Sequence, residues 1–283
     1  MFKRIIVAID VSTRSSDILE YLSGLKSITH ECALLLCLTI EEGASIALSY
    51  STEKVEGILA EEKKELEKLG FIVSAKIVPG FAVAEISRMA TEENFDLIVA
   101  GLTDRSILNE IVQGGIAKEL IHHEIKKPLL LIPLKKEAGI KNWDFFENVL
   151  FATDFSENSD KAFIAIQELV ETRAKKITLL HVQNKTNIEP HLKSHLQEFN
   201  LIDKGRLENL KEILNKKGKA SVDIELTYGF PAQEIINTIR KRGITLSVMG
   251  TQGRGFIDDM FIGSISHAVA RKTEIPLLLV PIK

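Results

Sequence analysis

The chain has 283 residues, 45% of them hydrophobic and 27% charged, with a formal net charge of −3 at pH 7. That length suits two domains of roughly 140 residues each, and the composition is that of a folded globular chain rather than a disordered or fibrous one. A near balance of charge lacks the basic excess of a surface that tracks phosphates, so no nucleic-acid partner is expected. The longest apolar run, Ala33 to Ile40, falls far short of the roughly 18 to 20 residues of a membrane helix, so no membrane partner is expected either.

In chain order, Met1-Phe2-Lys3-Arg4-Ile5 runs straight into a strand pattern without signal-peptide architecture, which predicts a cytoplasmic protein. Short apolar runs then alternate with helical segments. The first half carries strands over Arg4 to Ile9, Ala33 to Ile40, Phe71 to Val78, Leu97 to Ala100 and Leu129 to Pro133. Cys32 and Cys37 sit five apart at and within the second of these, so their side chains point to opposite sheet faces and are read as buried, reduced thiols. The helix Thr52 to Leu69 bears the charged run Glu61-Glu62-Lys63-Lys64-Glu65, a solvated face. His122-His123-Glu124 are adjacent rather than helically spaced, so they read as a helix C-terminus complementing the dipole.

Lys136 to Trp143 is polar and without hydrophobic periodicity, and reads as a linker. Beyond it the strand pattern returns over Val149 to Thr153, Ile177 to Val182, Ser221 to Thr227, Leu246 to Met249 and Pro276 to Ile282. Helices are predicted over Asp160 to Arg173, His191 to Lys217, Pro231 to Arg242 and Ser264 to Lys272. His191 and His195, one turn apart with Glu198 beyond, have the spacing of two metal ligands, but no third ligand is visible and they read as surface residues. Glu157 and Asp160 read as dipole partners in a first helical turn, and His181 as a packed strand histidine.

The two halves are copies of one unit. Lys3-Arg4-Ile5-Ile6-Val7-Ala8-Ile9-Asp10-Val11-Ser12 aligns with Glu147-Asn148-Val149-Leu150-Phe151-Ala152-Thr153-Asp154-Phe155-Ser156, and Pro128-Leu129-Leu130-Leu131-Ile132-Pro133 with Pro276-Leu277-Leu278-Leu279-Val280-Pro281. This puts the domains at 1–136 and 146–283. Strands alternating with helices make an α/β protein with two tandem doubly wound parallel sheets of the flavodoxin-like, HUP-type kind, each of order 3-2-1-4-5. Ligands bind such sheets at the carboxyl ends of the strands that flank the order reversal, here strands 1 and 4 of each half.

At that place in the second half, strand 4 empties into Gly250-Thr251-Gln252-Gly253-Arg254-Gly255, and Gly263-Ser264 opens the last helix. Glycines let backbone amides approach an anion, and a helix N-terminus attracts one. Asp154 ends strand 1 across the crevice, where a carboxylate accepts from ribose hydroxyls. Arg254 is a further candidate, as a phosphate partner. In the first half Gly101 persists, but Asp104 replaces Gly253 and Gly115 replaces Ser264, and both changes oppose phosphate binding unless Arg105 or a metal compensates. Asp10 and Leu38 persist at its nucleoside positions.

Ala152-Thr153-Asp154-Phe155-Ser156, Leu180-His181-Val182, Gly229-Phe230-Pro231 and the spaced glycines ending in Gly263-Ser264 together resemble the universal stress protein family, over both halves. The resemblance implies an adenine nucleotide, ATP or AMP, with Mg²⁺ as an optional companion. Its loop glycines and serine would hold phosphates, Asp154 would face the nucleoside, and Val182 would meet adenine with its backbone. The nominated residues are Asp154, Val182, Gly250, Gly253, Arg254, Gly263, Ser264 and Ile265. The resemblance further implies that strands Leu129 to Pro133 and Leu277 to Pro281 pair, making the chain a pseudo-dimer that could also form a homodimer and engage a protein partner.

Three functions follow from this reading. One is a nucleotide-dependent stress-response regulator. Another is a slow ATPase or self-phosphorylating enzyme with Ser264 or Thr251 as acceptor. The third is a scaffold with a vestigial loop. No catalytic residue is nominated, since no Ser-His-Asp or Cys-His set, no general base beside the loop and no Walker-type lysine is identifiable.

Overall fold

The computed structural model describes residues 2–9, 15–26, 28–29, 31–38, 45–103, 116–123, 125–134, 143–189, 192–253 and 262–282. Contacts divide the chain into two compact units, Met1–Trp143 and Asp144–Ile282.

In the first unit the described elements are β1 (Arg4–Ile9), α1 (Ser15–Leu25), β2 (Glu31–Leu38), α2 (Ser45–Lys68), β3 (Ile72–Pro79), α3 (Ala82–Glu92), β4 (Leu97–Thr103), α4 (Ile116–His122) and β5 (Leu129–Leu134). Among the described residues these four strand pairings are parallel: β1 lies between β2 and β4, β3 flanks β2, and β5 flanks β4. This is the expected order 3-2-1-4-5. Such strands read as unbroken apolar runs because both sheet faces are covered, and β1 is buried at every residue after Arg4. Asp96, just before β4, pins the start of β1 by accepting from the backbone N–H groups of Lys3 at 2.9 Å and Arg4 at 3.0 Å. Trp143 reads as linker in the sequence, yet its ring packs on Tyr21 of α1 at 5.4 Å, an apolar contact that polar neighbours conceal.

The second unit comprises β6 (Asn148–Ala152), α5 (Glu157–Thr172), β7 (Lys176–Asn184), α6 (Lys185–Ile188), a 3₁₀ turn (Lys193–His195), α7 (Leu196–Lys217), β8 (Ser221–Gly229), α8 (Pro231–Arg242), β9 (Leu246–Gly250), α9 (Ser264–Lys272) and β10 (Leu277–Val280). It repeats the same parallel order, with β6 between β7 and β9, β8 beyond β7, and β10 beyond β9.

The helix ends follow local chemistry. Ser156 caps α5 by accepting from the Ser159 N–H, with Glu157 and Asp160 in the positive first turn as expected. Pro231 opens α8, where a missing N–H costs nothing. Gly243 ends it at φ 60°, a left-handed conformation that glycine adopts without a β-carbon clash.

Two predicted boundaries shift for a physical reason. β7 continues to Asn184 because its ladder with β8 continues to Gly229. The helix expected from His191 begins at Leu196, because Asn184 caps a separate short helix by accepting from the Thr186 N–H at 3.0 Å and so turns the chain first.

Candidate functional site

β6 is shorter than its neighbour β7, and the site follows from that difference. Its last sheet contact is the Thr153 N–H donated to Leu180 O at 2.9 Å; the chain then turns into α5. In a parallel strand both polar groups of one residue point to the same side, and they alternate along the chain. Leu180 O points toward β6, so the N–H and C=O of Val182 point the same way, beyond the place where β6 has ended. Together with α7, α8, the loop after β9 and the start of α9, this notch forms a cavity of about 540 Å³.

Asp154 Oδ1 accepts from Ser156 N at 3.1 Å and from Ser156 Oγ at 2.6 Å. Those bonds orient the carboxylate so that Oδ2 faces the loop, where a β-carbon added to Gly253 would lie 2.7 Å from it. A β-carbon on Gly250 would meet the Asn158 backbone C and O at 3.1 Å, so that glycine lets the strand end approach the first turn of α5. On the far side of the loop, Gly263 N donates to Thr251 O at 2.7 Å, Ser266 Oγ donates to Gly250 O at 2.9 Å, and His267 N closes the first helical bond to Gly263 O at 2.9 Å. The amides of Ser264, Ile265 and Ser266 therefore precede the first intrahelical bond of α9, at a positive helix end with no acidic residue in its first turn.

Of the nominated residues, Asp154, Val182, Gly250, Gly253, Gly263, Ser264 and Ile265 line this one cavity. Arg254 lies outside the described residues, as do Asp10, Asp104, Arg105 and Gly115 of the first half. Among the described residues no group of three or more His, Cys, Asp or Glu could hold a metal ion. His195 is exposed and 3.4 Å from Glu198, while His191 lies outside the described residues.

The cavity also has a wall that motif reading leaves out. His181 Nδ1 lies 2.7 Å from Thr153 O, which as a carbonyl can only accept, so Nδ1 carries the proton. Its Nε2 is 3.6 Å from Asp203 Oδ2 of α7, which also accepts from Gln183 Nε2 at 3.0 Å. Leu192, Phe199, Ile202 and Arg206 complete that side. The signal in the sequence is Phe199, Ile202, Asp203 and Arg206 recurring at helical spacing on one face of α7.

At Gly101 of the first unit, as at Gly250, a β-carbon has no room. An added β-carbon would lie 2.6 Å from Leu134 Cδ1 and 3.0 Å from Ile18 Cδ1. His122, ending α4, is held below the usual histidine range by partial burial and by the charges of Lys118 and His123. No helix among the described residues is long and apolar enough to cross a membrane.

These halves match known proteins. Universal stress protein YxiE of Bacillus subtilis is 30% identical over 147 residues, covering 48% of this chain and 99% of that protein. Universal stress protein Slr1230 of Synechocystis is 29% identical over 232 residues, covering 80% of this chain and 71% of the other. The crystal structure of a universal stress protein from Archaeoglobus fulgidus superposes with a TM-score of 0.76 at 22% identity, over 98% of this chain and 96% of that one, a likeness of fold. The description of the universal stress protein family matches residues 1–133 and again residues 145–281, so this chain belongs to that family, with two of its domains in tandem.

Proposed function

We propose that the cavity of the second half binds an adenine nucleotide, ATP or AMP, and that the protein acts as a nucleotide-dependent regulator of a stress response. The observation that carries this reading is the meeting, in one cavity, of Val182, Asp154, Gly250, Gly253 and the start of α9. Adenine offers an exocyclic N–H beside a ring acceptor, a pair that the backbone C=O and N–H of Val182 complement. Asp154 is suited to accept from ribose hydroxyls, and the amides of Ser264 and Ile265 to donate to phosphates.

Isothermal titration of the whole chain with ATP and AMP tests the proposal. Saturable heat that Gly253→Asp removes is the expected result, together with a raised melting temperature, since saturation at 100 times Kd adds about 2.7 kcal/mol to stability. No heat and no thermal shift with either nucleotide would reject it in favour of a scaffold.

A further inference from the structure

Phe155, immediately after Asp154, is held at φ 57°, a left-handed conformation that is strained for an aromatic residue. The strain has a visible result. It sets the Phe155 ring against the His181 ring, centroids 4.5 Å apart, and beneath the Arg206 guanidinium, whose Cζ lies 5.2 Å from the ring centroid. Asp203, one turn before Arg206, completes the bracket: its Oδ1 is 3.5 Å from Arg206 Nη1, and its Oδ2 is shared with Gln183 and His181. The turn after β6, the end of β7 and α7 are tied together at this point.

The bracket fixes a cation at the rim of the cavity. Arg206 is the only lysine or arginine among the described residues that line it, against the two carboxylates of Asp154 and Asp203. Asp203 is largely buried and has other donors, whereas the Arg206 side chain is 47% exposed, so the guanidinium keeps donors for a ligand. We infer that Arg206 is a ligand-binding residue that sets preference by the ligand's negative charge, with Phe155, His181 and Asp203 as its positioning residues. This inference rests on the nucleotide reading of the same cavity.

Removing a unit charge from the rim weakens a polyanion more than a neutral ligand. The test is titration of the whole chain with adenosine, AMP and ATP at two salt concentrations. For Arg206→Gln the expected result is about tenfold weaker ATP binding, an intermediate loss for AMP, a change under about twofold for adenosine, and a flatter salt dependence for ATP. Arg206→Lys keeps the charge without the planar fork and should recover part of the ATP affinity. Phe155→Leu removes the platform but no charge, and should lower ATP affinity relative to adenosine in the same direction. Equal weakening of ATP and adenosine in Arg206→Gln, or unchanged ATP affinity, overturns the assignment while leaving the nucleotide reading intact. A wild-type chain that binds none of the three ligands overturns both.

Discussion

Replacing Gly253 by aspartate imposes on the second half the residue that the first half carries at Asp104. A β-carbon at Gly253 lies 2.7 Å from Asp154 Oδ2, inside any real contact distance, so the Asp154 carboxylate must shift from the position its two bonds to Ser156 give it. The new carboxylate also faces every phosphate held by the loop. At about 4 Å each such pair costs about 1 kcal/mol in water and about 4 kcal/mol at an effective dielectric of 20. This rim is half-exposed, so a value between those limits applies, and two or more phosphates bring the loss of ATP affinity to about 100-fold or beyond. Gly253→Ala introduces the same β-carbon without the charge and should cost about tenfold, so the two variants separate crowding from repulsion. Isothermal titration with ATP and with adenosine reads both, and adenosine should distinguish the variants far less. Binding of ATP to Gly253→Asp within threefold of wild type would refute the placement of phosphates at this loop.

Other outcomes follow from the same packing. Gly250→Ala places its β-carbon 3.1 Å from the Asn158 backbone, which cannot rotate out of the way, so urea denaturation followed by circular dichroism should show a loss of about 1–3 kcal/mol, and an unchanged midpoint would contradict that contact. Within the charged run read in the sequence as a solvated face, Glu62 of α2 is instead buried at 7% exposure; that burial pushes it up from 4.5 to about 7, and its Oε2 has no hydrogen-bond partner. Between those values the native state keeps a proton that the unfolded state gives up, so the contribution of Glu62 to stability is fully present below pH 4.5 and is lost as pH rises through 7. After allowance for solvent screening the loss is about 1–2 kcal/mol. Urea melts followed through the single tryptophan, which packs tilted against Tyr21 of the first unit, should show this slope in wild type and not in Glu62→Gln; an equal slope in both would count against it. Cys32 is buried and its thiol is pushed up to about 12 by that burial, so iodoacetamide at pH 8 should leave it unmodified in the native chain and alkylate it in urea; peptide mass mapping that finds it labelled under native conditions would disprove this.

What was legible in the sequence is what each residue's own backbone or side chain demands. Strands covered on both faces must be apolar throughout, so the runs from Arg4 and Asn148 onward and the matched ends Pro128 to Pro133 and Pro276 to Pro281 disclosed the parallel sheets and their duplication. Glycines at Gly250 and Gly253 mark places where a β-carbon has no room, and such a demand leaves a trace in composition. The wall made by α7 left only a faint one. Phe155 is not a residue type that announces a left-handed turn, and nothing in the spacing of Asp203 and Arg206 says which strand their face meets. Helical periodicity identifies a face but not its partner. That partner was decided when the short helix capped by Asn184 redirected the chain and α7 crossed the end of β7, which brought His181, Asp203 and Arg206 to the cavity that begins where β6 stops.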